Sequence, residues 1–428
     1  MKKYDRRNFF KLSGMGLLSV AVTSTFGLTS AFATATTYTF PPEWAPQASV
    51  WLCWDSTDDL HRTTDAAMHA VTAQIVEALH SKNTKVDMIV SGDAAKADCL
   101  NFLNNYQVDP QKIRFHNYKE SYIFMRDMGP LFVKTTDGNP MIADFSWNYY
   151  GTWNVGRGKA VGDVDRAMAA ELNVPMVKSD IVAEGGGYEV NGAGVLMAFQ
   201  DMAMQRNPGK TLAQIESEVL RLYGQQKMIW LPLSPISDKL NTDGSPVMEN
   251  FFGYGANGHV DEVARFVDTN TILVAKVSEA ARDSNNLEKS DYERIEEVAR
   301  VLQNATDVNG NPFTIIRVTN PDLALLWKER TINPGEEGFG FHAGDIVIDL
   351  PAVSYMNFLI SNGIVIMAKY WEPGKPDSLK QLDAQAKATI QSVFPTREIK
   401  QIDPLAINWW GGGIHCITQQ TPFFNVQP

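Results

Sequence analysis

Cys416 is the side chain of this sequence best placed to act as a nucleophile. It closely follows the glycine triplet 411–413. Successive glycines occur where φ must be positive or where the backbone must approach another group, so a cysteine beyond them can face a cavity. Nearby backbone amides also favour the thiolate, which is the reactive form. The alternative for a free cysteine is a place in the apolar core, which we predict for Cys53 and Cys99.

His259, in the segment Gly258-His259-Val260-Asp261, is the best candidate for the proton carrier that a thiol nucleophile needs. We expect an extended segment, in which positions two apart face the same side. His259 and Asp261 would then project into one cavity while Val260 packs behind. The alternatives are a surface histidine in a turn and a His-x-Asp metal site. The other histidines are scattered along the sequence, so we expect no metal.

Two further carboxylates lie beside glycines. Asp127 follows Arg126 and precedes a Gly-Pro pair at 129–130, a pattern that ends an element and opens a turn. Glu184 precedes the glycine triplet 185–187, as in a loop that faces a ligand. The alternative for Asp127 is a structural ion pair with Arg126, and a glycine triplet alone is weak evidence.

These residues together predict a reaction at a guanidine group. A guanidinium is a planar cation with N–H donors, which paired carboxylates match with charge-assisted hydrogen bonds. Such binding would orient its carbon toward the sulfur of Cys416. Attack would give a covalent adduct, His259 would protonate the departing ammonia, and a water activated by the same histidine would release a ureido product. Neutral ureas would be poor substrates, because buried carboxylates need a cation to compensate their desolvation.

The overall composition agrees with a small cationic substrate. The chain has 428 residues and a formal net charge of −11, which disfavours phosphate contacts and therefore nucleic acid as a partner. Its three cysteines form neither a disulfide framework nor the paired spacing of a structural zinc site.

The N-terminus predicts export. Residues 5–11, Asp-Arg-Arg-Asn-Phe-Phe-Lys, resemble a twin-arginine motif, and a mildly apolar stretch then ends in Ala31-Phe32-Ala33, which fits the small-x-small cleavage rule. We predict a signal peptide over 1–33 and a single catalytic domain over 34–428. The mature protein would be periplasmic or secreted, without membrane association after signal removal. The alternatives are a buried N-terminal helix and a membrane anchor.

The first part of the chain that positions these residues is predicted to alternate strands and helices in a β-α-β order. Apolar runs predict strands at 50–54, 85–90 and 113–116, and helical spacing predicts helices at 65–80 and 94–105.

A hairpin followed by a helix and another strand then recurs along the chain. The hairpin turns are Asp137-Gly138, Asn191-Gly192, Thr269-Asn270 and Asn362-Gly363. The helices predicted after them are 164–172, 212–223, 291–303 and 378–393. The units differ in length, so the repetition is weak evidence, but it favours modules arranged radially, each packing a helix against its own small sheet.

The sequence resembles the agmatine deiminase family, which includes the bacterial peptidylarginine deiminases. The similarity extends from Pro41 to Pro422. Its motifs are Pro41-Pro42-Glu43-Trp44, Met125-Arg126-Asp127-Met128-Gly129-Pro130, Glu184-Gly185-Gly186, Arg206-Asn207-Pro208, Gly258-His259-Val260-Asp261 and, at 411–420, Gly-Gly-Gly-Ile-His-Cys-Ile-Thr-Gln-Gln. The resemblance implies an α/β fold, a five-bladed propeller with pseudo-fivefold ββαβ-type repeats and the site on its central axis. It also implies a homodimer and no cofactor or metal.

The resemblance implies a role for each site residue. Cys416 would be the nucleophile, His259 the acid and base, Asp127 and Asp261 the guanidinium clamp, and Glu184 an assisting carboxylate. We further expect substrate contacts from Phe124, Asn148, Asn357 and Gly413.

Agmatine is the leading substrate, with N-carbamoylputrescine as product. Departures from the family pattern surround the substrate tail, since Phe124 replaces the usual tryptophan and Ser121-Tyr122 replaces the usual Asn-Asp. Peptide-directed members carry arginines near positions 147–151 that hold a carboxylate, whereas here the next arginine is Arg157. The alternatives are an arginine or peptidyl-arginine deiminase, an amidinotransferase and a guanidine-binding protein without catalysis.

Overall fold

The computed structural model describes residues 37–55, 66–151, 161–241 and 243–424. The predicted signal peptide and Arg157 therefore lie outside the described residues. The described residues form one compact unit. In the described stretches, no helix is long and apolar enough to cross a membrane.

The strands of the described residues are short. They are β1 (Tyr38–Thr39), β2 (Gln47–Cys53), β3 (Lys85–Val90), β4 (Ile113–Asn117), β5 (Leu131–Thr135), β6 (Pro140–Asp144), β7 (Met176–Lys178), β8 (Glu189–Val190), β9 (Val195–Phe199), β10 (Lys227–Leu231), β11 (Phe251–Gly253), β12 (Ala264–Phe266), β13 (Thr271–Lys276), β14 (Thr314–Thr319), β15 (Lys328–Thr331), β16 (Ile346–Leu350), β17 (Leu359–Ser361), β18 (Ile364–Ala368), β19 (Glu398–Ile402) and β20 (Gln419–Pro422).

The α-helices between them range from one turn to five. They are α1 (Ala66–Ser81), α2 (Asp93–Leu103), α3 (Met125–Met128), α4 (Val164–Leu172), α5 (Gln200–Arg206), α6 (Leu212–Tyr223), α7 (Glu279–Arg282), α8 (Asn286–Asn304), α9 (Asp377–Val393) and α10 (Leu405–Asn408). Short 3₁₀ turns cover Pro110–Lys112, Gly185–Gly187, Val260–Glu262 and Leu323–Leu325.

Five modules among these elements share one topology. In each module an antiparallel pair of strands is followed by helix and then by a strand that runs parallel to the second strand of the pair. The sheets are β5-β6-β7, β8-β9-β10, β12-β13-β14, β17-β18-β19 and β20-β2-β3; β1 extends the first sheet and β4 extends the last. The fifth module joins the two ends of the described chain, because Val50 of β2 pairs with Gln420 of β20. The mixed α/β class is thus confirmed.

The four predicted hairpins are confirmed as the antiparallel pairs of the first four modules. In three of them the turn glycine has a positive φ: Gly138 at 78°, Gly192 at 67° and Gly363 at 69°. Glycine adopts this left-handed conformation without steric cost, which suits it to these turn positions.

Local sequence fixes the helix of a module in the same way. Thr211 caps α6 by accepting from the backbone of Gln214, whose side chain accepts from the Thr211 backbone in return, and Gly224 ends the helix at a φ of 63°. The buried face carries Ile215 and Val219. The predicted bounds 212–223 and 164–172 match α6 and α4.

Two predictions from the sequence are wrong in this region of the fold. The segment after His259 is the 3₁₀ turn Val260–Glu262 and not an extended strand. A sixth sheet, β11-β16-β15, was also missed. Its outer strand β15, Lys-Glu-Arg-Thr, lacks the apolar alternation that predicts a half-buried strand.

Candidate active site

The glycine triplet brings Cys416 to a crowded buried position. Gly411 has a φ of 102°, and a Cβ there would lie 1.9 Å from the carbonyl oxygen of Tyr254. A Cβ on Gly412 would lie 2.5 Å from the ring of Phe124 and 3.1 Å from the Cys416 sulfur. Glycine is thus required for close approach of this loop to its neighbours. The thiol at its end is 2% exposed.

Polar groups surround the Cys416 sulfur. The Nδ2 of Asn357 donates to it over 3.1 Å, and the carboxylates of Asp261 and Glu262 each lie 3.8 Å away. Burial raises the pKa of the Cys416 thiol well above its usual range, and the charges of Asp261, Glu262 and Asp127 raise it further. The thiol is therefore neutral until a cation enters the site.

His259 is held through its backbone. The carboxylate of Asp238 accepts from the N–H groups of Ala256 at 2.8 Å, Gly258 at 2.6 Å and His259 at 3.0 Å. These bonds fix the loop that ends in the 3₁₀ turn, so the imidazole position is set independently of its ring contacts.

Three carboxylates surround the His259 ring. Its Nδ1 lies 3.7 Å from Asp127 and 4.0 Å from Asp261, and its Nε2 lies 3.8 Å from Glu184. Neither ring nitrogen has a hydrogen-bond partner among the described residues. Burial opposes the charged ring, but the three carboxylates outweigh it and raise the pKa of His259 to about 9. The imidazolium is therefore the form present at neutral pH.

Glu184 and Asp261 are each anchored through one oxygen, whereas both oxygens of Asp127 are bonded. Asp127 accepts from the Tyr150 hydroxyl at 2.8 Å, Glu184 from Arg206 at 2.7 Å, and Asp261 from the Nδ1 side of His415 at 2.6 Å. The second oxygens of Glu184 and Asp261 are buried and have no hydrogen-bond partner among the described residues.

The ionisation of these carboxylates differs. Burial and the charges of Asp261 and Glu184 raise the pKa of Asp127 to about 6, against the lowering effect of His259. Burial also acts to raise the pKa of Glu184 and Asp261, but it is outweighed by Arg206 and His259 at Glu184 and by His415 and His259 at Asp261, so both pKa values are lowered. At neutral pH the site therefore carries more negative than positive charge.

Gly186 leaves open the space between these groups. A Cβ at this position would lie 2.6 Å from Nδ1 of His259 and 3.1 Å from both Asp127 and Asp261. Its N–H donates to Asp127 over 3.2 Å. The residue therefore forms one wall of the site, and any side chain there would occupy it.

A buried polar chain that sequence reasoning missed supports Asp261. His415 lies between Asp261 and Glu43, with its Nε2 2.7 Å from the Glu43 carboxylate, and Arg265 donates to Glu43 at 2.6 Å and to Glu189 at 2.5 Å. In the sequence alone, His415 is one of the scattered histidines and carries no predicted role. Its position beside Cys416 and the place of Glu43 in the Pro-Pro-Glu-Trp motif were the available signals.

The structure brings together Cys416, His259, Asp261, Asp127 and Glu184. Three of the four further residues predicted to contact substrate, Phe124, Asn357 and Gly413, lie beside Cys416 or its glycine loop. Phe124 packs against Gly412, and Gly413 leaves room for Asn357, since a Cβ there would lie 2.6 Å from the Asn357 oxygen. Asn357 contacts the thiol itself. Asn148 instead bonds the backbone of Gly151 at 2.8 Å and of Arg206 at 3.4 Å, so it shapes the loop around Tyr150.

Two groups of side chains have metal-ligand atoms close together, Asp261-Glu262-Cys416 and Glu43-Glu189-His415. In the second group Arg265 is already bonded to both glutamates. In the first group burial and the neighbouring acids raise the pKa of Glu262 and of Cys416 well above their usual ranges. Both groups are therefore neutral or already paired with a cation, which makes them poor metal sites.

The other two cysteines lie in the core, as predicted. Cys53 and Cys99 are 4% and 0% exposed, and burial raises the pKa of both thiols above their usual range. Neither has the electropositive surroundings that activate a thiol.

The site residues occupy equivalent positions in the five modules. Asp127 precedes β5, Glu184 precedes β8, His259 precedes β12, Asn357 precedes β17 and Cys416 precedes β20. Each module thus contributes at least one side chain from the segment before its first strand, and the β12 module contributes both His259 and Asp261.

The arrangement can bind and attack a planar cation. Unpaired carboxylate oxygens offer acceptors for N–H donors, a protonated imidazole can protonate a leaving group, and a thiol held by an amide N–H can supply the nucleophile. These capacities correspond to substitution at the carbon of a guanidinium or amidinium group.

Comparisons with known proteins agree with this chemistry. A family model described as Porphyromonas-type peptidyl-arginine deiminase matches residues 39–422. Among curated relatives, the agmatine deiminase of Pseudomonas fluorescens is 27% identical over 89% of this chain and 95% of its own. The agmatine deiminase of Medicago truncatula is 28% identical over 89% of this chain and 96% of its own.

Solved structures share the fold. The agmatine deiminase of Enterococcus faecalis superposes with a TM-score of 0.69 at 24% identity, over 91% of this chain and 97% of its own. The agmatine deiminase of C. jejuni gives a TM-score of 0.65 at 17% identity, over 93% of this chain and all of its own.

Proposed function

Because the chain belongs to the Porphyromonas-type peptidyl-arginine deiminase family, we propose that it hydrolyses a guanidine group to a ureido group and ammonia, with agmatine as substrate and N-carbamoylputrescine as product. The observation that carries this proposal is the pair of unpartnered, buried carboxylate oxygens on Glu184 and Asp261, which face the two ring nitrogens of His259. The other oxygen of Asp261 lies 3.8 Å from the Cys416 sulfur. A buried charged oxygen without a partner is costly, and a planar cation with several N–H donors would satisfy both.

Binding of the cation prepares the thiol. The guanidinium occupies the space beside Gly186 and places its positive charge among Asp127, Asp261 and Glu184. That charge offsets the carboxylates that hold the Cys416 pKa high, so the thiol releases its proton to solvent when substrate binds. The amide N–H of Asn357 then stabilises the thiolate through the 3.1 Å contact.

The thiolate forms a carbon–sulfur bond with the guanidinium carbon and gives a neutral tetrahedral adduct. His259, protonated in the free site, transfers its proton to one amino group of the adduct. Ammonia departs with the carbon–nitrogen bond pair, and a cationic amidino-thioether remains on Cys416.

Water completes the turnover. Neutral His259 accepts a proton from water as the oxygen attacks the amidino carbon, and His259 is again protonated. The carbon–sulfur bond then breaks and returns the thiolate. The proton lost from the new hydroxyl leaves with ammonia as ammonium, so guanidinium and water give a ureido product and ammonium.

Two of the three buried arginines among the described residues are already paired with protein acceptors, which favours agmatine over a substrate with a carboxylate. The third, Arg126, donates through Nη1 to the side chains of Gln419 and Gln420, and its Nη2 has no hydrogen-bond partner among the described residues. Arg206 is bonded to Glu184 and to the carbonyl oxygen of Ala256, and Arg265 is bonded to Glu43 and Glu189. Both guanidinium groups are thus occupied by protein acceptors. Agmatine has no carboxylate to bind, whereas arginine and C-terminal peptidyl-arginine do.

We propose that the five modules stand around one axis as the blades of a propeller. The support is the equivalence of the site residues, since each precedes the first strand of its own module. Because these site residues lie close to one another around Cys416, the first strands of all five modules begin near one point. A crystal structure tests the arrangement: five blades around Cys416 are expected, and an open array would contradict it.

Export through the twin-arginine pathway remains a proposal that rests on residues 5–11 and 31–33. Expression of the full chain with cell fractionation should recover the mature domain outside the cytoplasm, cleaved near Ala33. Arg6→Lys combined with Arg7→Lys should retain the uncleaved chain in the cytoplasm. Export of this double variant at the unaltered level would contradict the assignment.

Ammonia release tests the function. The full chain is incubated with agmatine, arginine or a peptide ending in arginine, and Cys416→Ala serves as the matched control. Turnover of agmatine that is lost in Cys416→Ala is expected. If only arginine or the peptide is turned over, the proposed reaction holds but agmatine is not the substrate. Binding of agmatine without ammonia release would contradict hydrolysis.

A further inference from the structure

A small cavity lies between the β5 and β8 modules, on the side of Asp127 and Glu184. We call it the Asp165 cavity, after the buried acid in its wall. Leu131 of β5 and Tyr223 of α6 also line it. Its volume is about 20 Å³, which exceeds the roughly 10–15 Å³ that one water molecule needs. The cavity is therefore large enough for a single water and too small for an organic ligand.

Three buried side chains of the Asp165 cavity lack hydrogen-bond partners. The Nη2 of Arg126, the Nε1 of Trp147 and the Oδ1 of Asp165 have no partner among the described residues. These residues are 4%, 7% and 7% exposed, so bulk solvent does not satisfy the three atoms. Unpaired buried polar atoms are costly, and their convergence on one cavity indicates a small polar molecule inside it.

The chemistry of these atoms selects water over an ion. Arg126 and Trp147 can only donate, and a water oxygen accepts from two donors. Burial and the charge of Asp144 raise the pKa of Asp165 to about 8, so this carboxyl group is largely protonated at neutral pH and can accept from water or donate to it. The Arg126 guanidinium disfavours a bound cation, and the ionised Glu184 in the same wall disfavours an anion.

The Asp165 cavity adjoins the base of the water step. Asp127 and Glu184 line the cavity, and the same two carboxylates face the His259 ring. The Nδ1 of His259 lies 3.7 Å from Asp127, and its Nε2 lies 3.8 Å from Glu184. A molecule that leaves the cavity past these carboxylates therefore arrives at His259.

We propose that the Asp165 cavity binds the water that hydrolyses the amidino-thioether on Cys416. The inference rests on the proposed deiminase function and deepens it, because it assigns a site to the second substrate. The intermediate keeps the agmatine tail on the substrate side, so water must enter from another side. The bound water moves past Glu184 into the space that ammonia has left. Its oxygen bonds to the amidino carbon while neutral His259 accepts one of its protons.

Single-turnover kinetics separate the water step from the steps before it. The full chain, in excess over agmatine, is quenched with acid at successive times, and ammonia and the mass of the Cys416 adduct are measured. Trp147→Phe removes the Nε1 donor and keeps an aromatic ring. Asp165→Leu replaces the carboxyl group with a branched apolar group, and Asp165→Asn restores a polar one. Trp230→Phe is the matched control, because its Nε1 is bonded to Glu216 and the residue does not line the cavity.

Ammonia release and adduct formation should keep their rates in Trp147→Phe and Asp165→Leu. Adduct decay should slow about tenfold in both, the effect of losing one buried hydrogen bond. Asp165→Asn should decay faster than Asp165→Leu, and Trp230→Phe should match the unaltered chain. Unaltered decay in both folded cavity variants, or equal slowing of adduct formation and decay, would overturn the proposal. If the unaltered chain releases no ammonia, the proposed function fails instead.

A crystal structure of the full chain tests the water site without activity. One water bonded to Nε1 of Trp147 and Oδ1 of Asp165 is expected, and Trp147→Phe should lose it. A protein group bonded to these two atoms in place of water would overturn the proposal.

Discussion

A methyl group at position 186 should abolish catalysis while the fold remains. The Cβ of Gly186→Ala would lie 2.6 Å from Nδ1 of His259, about 1 Å inside normal contact, and 3.1 Å from Asp127 and Asp261. The whole His259 residue cannot move away from the added methyl group, because its backbone N–H is bonded to Asp238. The ring must therefore turn, and the space for the guanidinium is filled.

The magnitude follows from these distances. Overpacking one methyl group costs about 1–3 kcal/mol of stability, whereas a misplacement of about 1 Å in a catalytic group costs about 100-fold in rate. We expect kcat/KM for agmatine to fall at least about 100-fold, with Tm lowered by only a few degrees. The φ of Gly186 is outside the left-handed region, so backbone strain does not add to the effect.

The assay is steady-state ureido formation, with circular dichroism to follow unfolding. Gly92→Ala is the matched control, since a Cβ at Gly92 meets nothing within 4 Å. It should retain full activity. A Gly186→Ala enzyme with unaltered kcat/KM would refute the placement of substrate between His259, Asp127 and Asp261.

Three further predictions follow from the site. The pH profile of kcat/KM should be bell-shaped: activity rises as Asp127 loses its proton near pH 6 and falls as His259 loses its proton near pH 9, and a flat profile between pH 7 and 10 would contradict the assignment of His259. Asn357→Leu removes the donor to the thiolate and should lower kcat about 100-fold, measured at saturating agmatine. Glu43→Gln breaks the buried chain to His415 and Arg265 and should lower the free energy of unfolding by about 3 kcal/mol, measured by urea denaturation against unaltered protein.

The repeated modules could be predicted because their signals are local. Asn-Gly and Asp-Gly turns impose positive φ whatever the rest of the chain does, and the Thr211–Gln214 capping box fixes the start of α6. The fifth module could not be predicted in this way. It is formed by β2 and β20, which are more than 360 residues apart and carry no shared turn.

The nucleophile, the histidine and three carboxylates could be selected from residue type and glycine context, but their local geometry could not. The turn at Val260–Glu262 depends on Asp238, whose carboxylate binds the preceding backbone from 20 residues away. His415 was missed because its partners, Asp261 and Glu43, are 154 and 372 positions distant. Contacts of that range depend on closure of the fold and leave no periodic pattern in sequence.

The hydrogen-bond partners of the residues predicted to contact substrate could not be predicted for the same reason. The amide of Asn357 donates to the Cys416 thiol, and the side-chain oxygen of Asn148 accepts from the backbone of Gly151. In both cases residue type indicates hydrogen bonding, and the tertiary structure determines the partner. Contact of these two residues with substrate stays a prediction.

Covalent catalysis by Cys416 is tested by mass spectrometry of enzyme quenched with acid during turnover of agmatine. The full chain should gain the mass of agmatine minus ammonia, on the peptide that contains Cys416, and the adduct should disappear when agmatine is exhausted. Cys416→Ser should show neither the adduct nor ureido product. Rapid turnover without any adduct on this peptide, together with residual turnover by Cys416→Ser, would contradict the assignment of Cys416 as the nucleophile.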